Sequence, residues 1–174
     1  MKHFREQSMR SLAVAAVCCI ACAAAFGATN QISAMMAKAR AQLGSSVVVP
    51  VYLPTRLPAD TSAKVTSAVG ARTAHGYTVT LYYLVGAGDV GYAGMVSGSA
   101  NTFASLPNTK AVQLANGTAA LFRPVSCGGS CAPANLWWQA SNYEYSIQLS
   151  LPSRMASKAQ LAQLLVVANS MVRQ

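Results

Sequence analysis

Past residue 27 the chain holds one histidine, His75, and three carboxylates, Asp60, Asp89 and Glu144. A Ser-His-Asp site would have to run through His75, which Ala74-His75-Gly76 places in a hairpin turn. A two-carboxylate glycosidase would need two of Asp60, Asp89 and Glu144 within about 10 Å of each other in one cleft. Glu144 lies between Tyr143 and Tyr145 in a strand-like run, where cross-strand packing explains it equally well. Gly128-Gly129-Ser130-Cys131-Ala132 has the outline of a nucleophile elbow but ends in alanine and lacks the strand-turn-helix context. Gly86-Ala87-Gly88-Asp89-Val90-Gly91 spells a dinucleotide fingerprint after a strand, but no helix follows it. With so few reactive groups, the expectation is a protein that is not an enzyme, with no cofactor and no metal.

The cysteines carry a different message. Lys2, His3, Arg5 and Arg10 precede an apolar run over 12–25, the pattern of a secretory signal over residues 1–27 with cleavage after Ala25-Phe26-Gly27. The run is shorter than the roughly 20 residues a membrane-spanning helix needs. Lipidation at Cys22, preceded by Cys19-Ile20-Ala21, is the alternative and would anchor the chain at the outer membrane. Either route removes Cys18 and Cys19 and removes or acylates Cys22. Of five cysteines, Cys127 and Cys131 then remain, flanking Gly128, Gly129 and Ser130, a spacer flexible enough for a local disulfide in an oxidising compartment. A zinc site would want about four ligands, and a redox dithiol prefers a two-residue spacer.

Loss of Lys2, Arg5, Arg10 and Glu6 leaves ten Lys and Arg against three acids, a net charge of +7. The bases are scattered and form no stripe, which argues against nucleic acid and leaves an acidic envelope protein, a cell-wall polymer or a lipid as partner.

These residues need elements to hold them. Residues 28–46 read as an amphipathic helix and linker, with Ile32, Met35, Met36, Ala39 and Leu43 at helical spacing, Thr29 or Asn30 as cap and Gly44 as stop. Residues 47–174 read as a single domain. Pro50, Pro54 and Pro58 bar the segment from Val47 to Asp60 from the centre of a sheet. Hairpins follow around Ala74-His75-Gly76, around Asn116-Gly117 and around Ser141-Asn142. A helix is expected over Ser157 to Val172, capped by Ser153 or Ser157, with Leu161, Leu164, Leu165, Ala168, Met171 and Val172 in one stripe. The fold class is α+β: a mostly antiparallel meander sheet packed by a C-terminal helix, with a short N-terminal helix.

Trp137 and Trp138 are adjacent in a strand and so cannot share one face. One belongs to the core; the other lies under a helix, in an interface or against a ligand. The binding residues singled out are Trp137, Trp138, Tyr143 and Tyr145, with Arg123 for charge.

The strings PVYLPTRLP, YTVTLYYL, LANGTAALFRPVSCGGSCAPANLWWQASNYEYSI and ANSMV resemble a group of uncharacterised exported bacterial proteins. They are also similar to an extracellular domain of unknown function attached to anti-sigma factors and lipoproteins. The resemblance covers roughly Val49 to Val172 and implies a compact α+β domain with no catalytic residues to carry over. The reading is an exported, periplasmic or lipid-anchored binding domain for an envelope partner, such as an inhibitor or immunity protein. The alternatives are a lipid or glycan carrier with a cavity lined by Tyr82, Tyr83 and one Trp, and a cell-wall hydrolase.

Overall fold

The computed structural model describes residues 31–85, 90–101, 106–128 and 130–174. The leader, Cys22, the Thr29 or Asn30 cap and the run from Gly86 to Asp89 lie outside the described residues.

Helix α1 spans residues 31–43 and buries Ile32, Met36, Ala39 and Leu43, while Met35 packs at the margin. Gly44 ends it at φ 68°, a left-handed conformation that favours glycine, and Arg40 Nη1 donates to the Gly44 carbonyl at 2.7 Å. The buried residues of α1 belong to the same core as those of the strands.

Seven strands form the main sheet: β2 (Val65–Thr73), β3 (Gly76–Leu84), β4 (Val90–Ser99), β5 (Lys110–Gln113), β6 (Ala119–Arg123), β9 (Ala134–Ala140) and β10 (Tyr143–Leu149). Their spatial order is β2-β3-β4-β10-β9-β6-β5, and every neighbouring pair is antiparallel. The chain thus lays one meander inward from an edge, crosses, and lays a second meander inward from the other edge. The two meet where β4 pairs β10, with Val96 opposite Ile147. The turns follow from composition: Ser141 and Asn142 both have positive φ, the geometry that keeps the twist of a two-residue hairpin. At Asn116-Gly117, Gly117 supplies φ 81° and Leu114 N–H bonds the Thr118 carbonyl.

Period-two alternation gives the sheet two different faces. Tyr77, Val79, Leu81, Val96, Leu136, Phe122, Tyr145, Ile147 and Leu149 are buried on one, beneath both long helices. Gly70 marks how close α1 comes, since a Cβ there would stand 2.2 Å from the Ala39 carbonyl oxygen. Gly98 makes room for two rings, with a Cβ 2.5 Å from Tyr77 and 3.0 Å from Tyr145.

The proline-rich segment crosses this same side and buries Val49, Val51, Leu53 and Leu57. Its backbone needs partners that prolines and an irregular path deny it. Two tyrosines of the sheet supply them. The Tyr77 hydroxyl accepts from Tyr52 N–H at 3.0 Å and donates to the Tyr52 carbonyl at 2.9 Å, and the Tyr145 hydroxyl donates to the Pro50 carbonyl at 3.1 Å. Burial raises both hydroxyls above the usual tyrosine range, Tyr145 to about 12.

Two short elements complete this segment, strand β1 (Tyr52–Pro54) and helix α2 (Ala59–Ser62). Strand β1 pairs with β11 (Met171–Arg173), which corrects the expected helix over Ser157 to Val172. Helix α3 covers only Ser157–Ala168, and Ala156 stands at its N-cap without a side-chain bond, in place of either serine. Ser170 explains the change of path: its carbonyl accepts from Thr55 N–H and Thr55 Oγ1, and its hydroxyl accepts from Arg56 N–H. These bonds draw the chain out of the helix and against β1. The buried face of α3 is Gln160, Leu164, Val167 and Ala168, rotated from the expected stripe. Gln160 is tolerated there because Val125 N–H donates to its Oε1 at 2.8 Å and its Nε2 donates to the Met155 carbonyl at 2.7 Å.

Candidate binding face

The alternation that builds the core also divides the residues singled out for binding. Trp138, Tyr143 and Tyr145 sit on the helix-covered side. Tyr145 is 1% exposed, stacked with Trp138 at 5.9 Å and met edge-on by Tyr52 at 5.2 Å. As the adjacency of Trp137 and Trp138 in a strand requires, the two lie on opposite faces: Tyr145 supports the proline segment from below and Trp138 packs beside it.

Trp137 points to the other face, on which no helix lies among the described residues. It is nonetheless 6% exposed. The Arg123 guanidinium lies over its ring at 5.1 Å, a cation–π contact worth roughly 0.5–2 kcal/mol depending on desolvation. Leu121, directly opposite Trp137 in register, remains 39% exposed. Ser146, its other cross-strand neighbour, hydrogen-bonds Ser97 at 2.7 Å. Glu144, 3% exposed, lies on the same face, two residues from Ser146. Leu106, at the end of the β4–β5 crossover, joins Ala111, Leu121, Trp137, Gln139 and Glu144 around a groove of about 420 Å³.

At the far end of this row Asn135 is fully buried opposite Arg123. Its Nδ2 donates to the Pro133 carbonyl at 2.8 Å, while Asn135 Oδ1 and Arg123 Nε are buried and bond no described residue. Further along, Tyr92 donates to Gln148 Oε1 at 2.9 Å, and burial, with Tyr82 nearby, raises its hydroxyl to about 12.

Next to Arg123 the chain closes the cysteine loop. Strands β7 (Ser126–Cys127) and β8 (Cys131–Ala132) pair, with Cys127 opposite Cys131 at a disulfide S–S distance of 2.09 Å. The loop thereby fixes the connection from β6 to β9, the strands that carry Arg123 and Trp137.

The groups considered for catalysis are spread out. Asp60 is exposed on α2 and lines a cavity of about 360 Å³ with Lys64, Tyr83, Met155 and Gln163, whereas Glu144 lines the groove beside Trp137. Asp89 lies outside the described residues. His75 is exposed in its turn, where its carbonyl accepts from Ala100 N–H. Among the described residues no three His, Cys, Asp or Glu side chains are placed to hold a metal ion, and no helix is long and apolar enough to cross a membrane. Tyr83 and Trp137 line different cavities, and Tyr82 lines neither.

The distribution of charge had no signature in the sequence. Among the described residues, the charged ones on the helix-free face of the sheet are Arg123 and Glu144; the other described bases lie on the helix-covered side or at the ends of the sheet. The order of charges along the chain is scattered, and only the topology sorts them. Comparison of the chain with protein-family models, with characterised proteins and with solved structures finds no match.

Proposed function

We propose that this protein is a non-enzymatic, exported binding domain of the cell envelope, periplasmic or lipid-anchored, that engages a macromolecular partner through the helix-free face of its sheet. The observation that carries the reading is the groove beside Trp137, with Arg123 stacked on the indole, Glu144 in the wall and Leu121 exposed at its rim. An aromatic fixed by neighbours, an exposed aliphatic and a small number of placed polar groups are the ingredients of a protein-binding hot spot. An inhibitor or immunity role against an envelope-directed toxin uses such a surface. The groove also falls in the size range of small-ligand sites, which favours a glycan or lipid carrier as the second reading.

The test is affinity capture from the producing cell's envelope with the protein from Ala28 to Gln174, alongside Leu121→Arg and, on the opposite side, Val166→Arg. One protein captured by the parent and by Val166→Arg, and lost with Leu121→Arg, is the expected result. Capture of nothing above control, or equal capture by all three, counts against the reading. Retention of glycan or lipid alone brings the carrier reading forward.

A further inference from the structure

The outer surface of the helix-covered side of the protein carries more bases than acids among the described residues. Lys38 and Arg40 on α1, Arg56 after β1, Lys158 on α3 and Arg173 on β11 lie on it, and α1, β1, α3 and β11 contain no Asp or Glu. Arg72 adds to them, since its guanidinium bonds Ser46 in the loop after α1. Of the described carboxylates, Glu144 is buried on the opposite face, and Asp60, exposed on α2 on this side, shares its cavity with Lys64.

Between these bases several exposed helix positions are small or apolar, alongside the polar Ser33 and Gln42 of α1. Ala34, Ala37 and Ala41 are exposed on α1, and Ala159, Ala162 and Val166 on α3. Val166 and Val172, each more than 40% exposed, border a shallow groove of about 600 Å³ that Arg56 also lines, and Val48 after α1 is 64% exposed.

We infer that this side docks on a bilayer surface containing anionic phospholipid, with its Lys and Arg at headgroup depth and Val48, Val166 and Val172 entering the interface. Basic side chains spread over two helices and a strand match a field of negative charge, and exposed aliphatics among them supply the second, apolar signal that interfacial binding requires. An acyl chain at Cys22 would act in the same sense. Cys22 precedes α1 by nine residues, so the anchor stays within about 30 Å of this side. Docking in this orientation turns the helix-free face outward, toward a partner.

The measurement is co-sedimentation of the protein from Ala28 to Gln174 with phosphatidylglycerol/phosphatidylcholine vesicles and with phosphatidylcholine alone. The described core lies wholly within this span. Binding to the anionic vesicles only, weakened strongly by 0.5 M salt, is expected. The triple variant Lys38→Gln, Arg56→Gln, Lys158→Gln alters exposed side chains only and should weaken binding about a hundredfold, at roughly fivefold per lost charge. No binding to the anionic vesicles, or binding by the triple variant equal to that of the parent, overturns the inference. Because the readout is lipid and the triple variant avoids the Trp137 groove, its failure is separate from failure of the partner reading.

Discussion

The two faces of the central sheet solve opposite problems with the same strands. On one, Tyr77, Val79, Val96, Leu136, Ile147 and Leu149 are sealed under two helices and a proline-rich strap, and the outer surface of that layer is basic. On the other, Thr78, Ser97 and Ser146 run across the middle of the sheet, and Trp137, Arg123 and Glu144 gather toward one end. The first face holds most of the buried core, and the second carries few charges among the described residues. Burial alone does not separate them, because Trp137 and Glu144 are as enclosed as core residues. What separates them is the covering layer: helices and strap on one side, and on the other no described helix.

Stability measurements should divide along this line. Leu164→Ala, at a fully buried position on the inner face of α3, should cost about 3 kcal/mol in denaturant unfolding, whereas Leu121→Ala on the helix-free face should cost under about 1 kcal/mol. Equal losses would show that the second face is also core. Gly98→Ala presses a methyl into the Tyr77 and Tyr145 rings and should cost about 2 kcal/mol; Gly128→Ala, with open space around its Cβ, should cost little.

Alkaline pH sharpens the same contrast. Tyr145 beneath the strap and Tyr92 on the helix-free face both hold their protons to about pH 12, while an unfolded tyrosine releases its proton near 10. Above pH 10 the unfolded state therefore binds fewer protons than the folded one, and stability falls between about pH 10 and 12. Tyr145→Phe should flatten that fall, with a loss of about 1 kcal/mol at neutral pH for its bond to Pro50. A fall of unchanged slope in Tyr145→Phe would assign the effect elsewhere.

Reduction of Cys127–Cys131 is a local perturbation. The loop is short, so chain entropy limits its contribution to about 2 kcal/mol, and both cysteines are exposed in a hairpin outside the main sheet. Unfolding under reducing conditions should stay cooperative, with a small shift in midpoint. A larger effect on partner capture than on stability would tie the loop to the orientation of Arg123.

Much of the fold was legible locally. Asn116-Gly117 and Ser141-Asn142 announce their hairpins through the φ they tolerate, Ile32, Met36, Ala39 and Leu43 announce α1 by spacing, and Cys127 and Cys131 announce their pairing by isolation. Where α3 ends was not legible, because the apolar run continues through Met171 and Val172; the bonds of Ser170 to Thr55 and Arg56, more than a hundred residues away in sequence, decide it. The site was half legible. Alternation separated Trp137 from Trp138, but which of them joined Arg123 depended on the register of β6 against β9.

The sequence by itself determined the strands, the turns, the cysteine pair and the excess of positive charge, since each depends on neighbours along the chain. Tertiary structure alone decided that β4 meets β10, that a proline strap is held by two tyrosine hydroxyls, and that Arg123 rather than any other base stands beside Trp137. Those outcomes depend on which surfaces two inward-running meanders bring together, and contacts of that range leave no periodic trace in the chain.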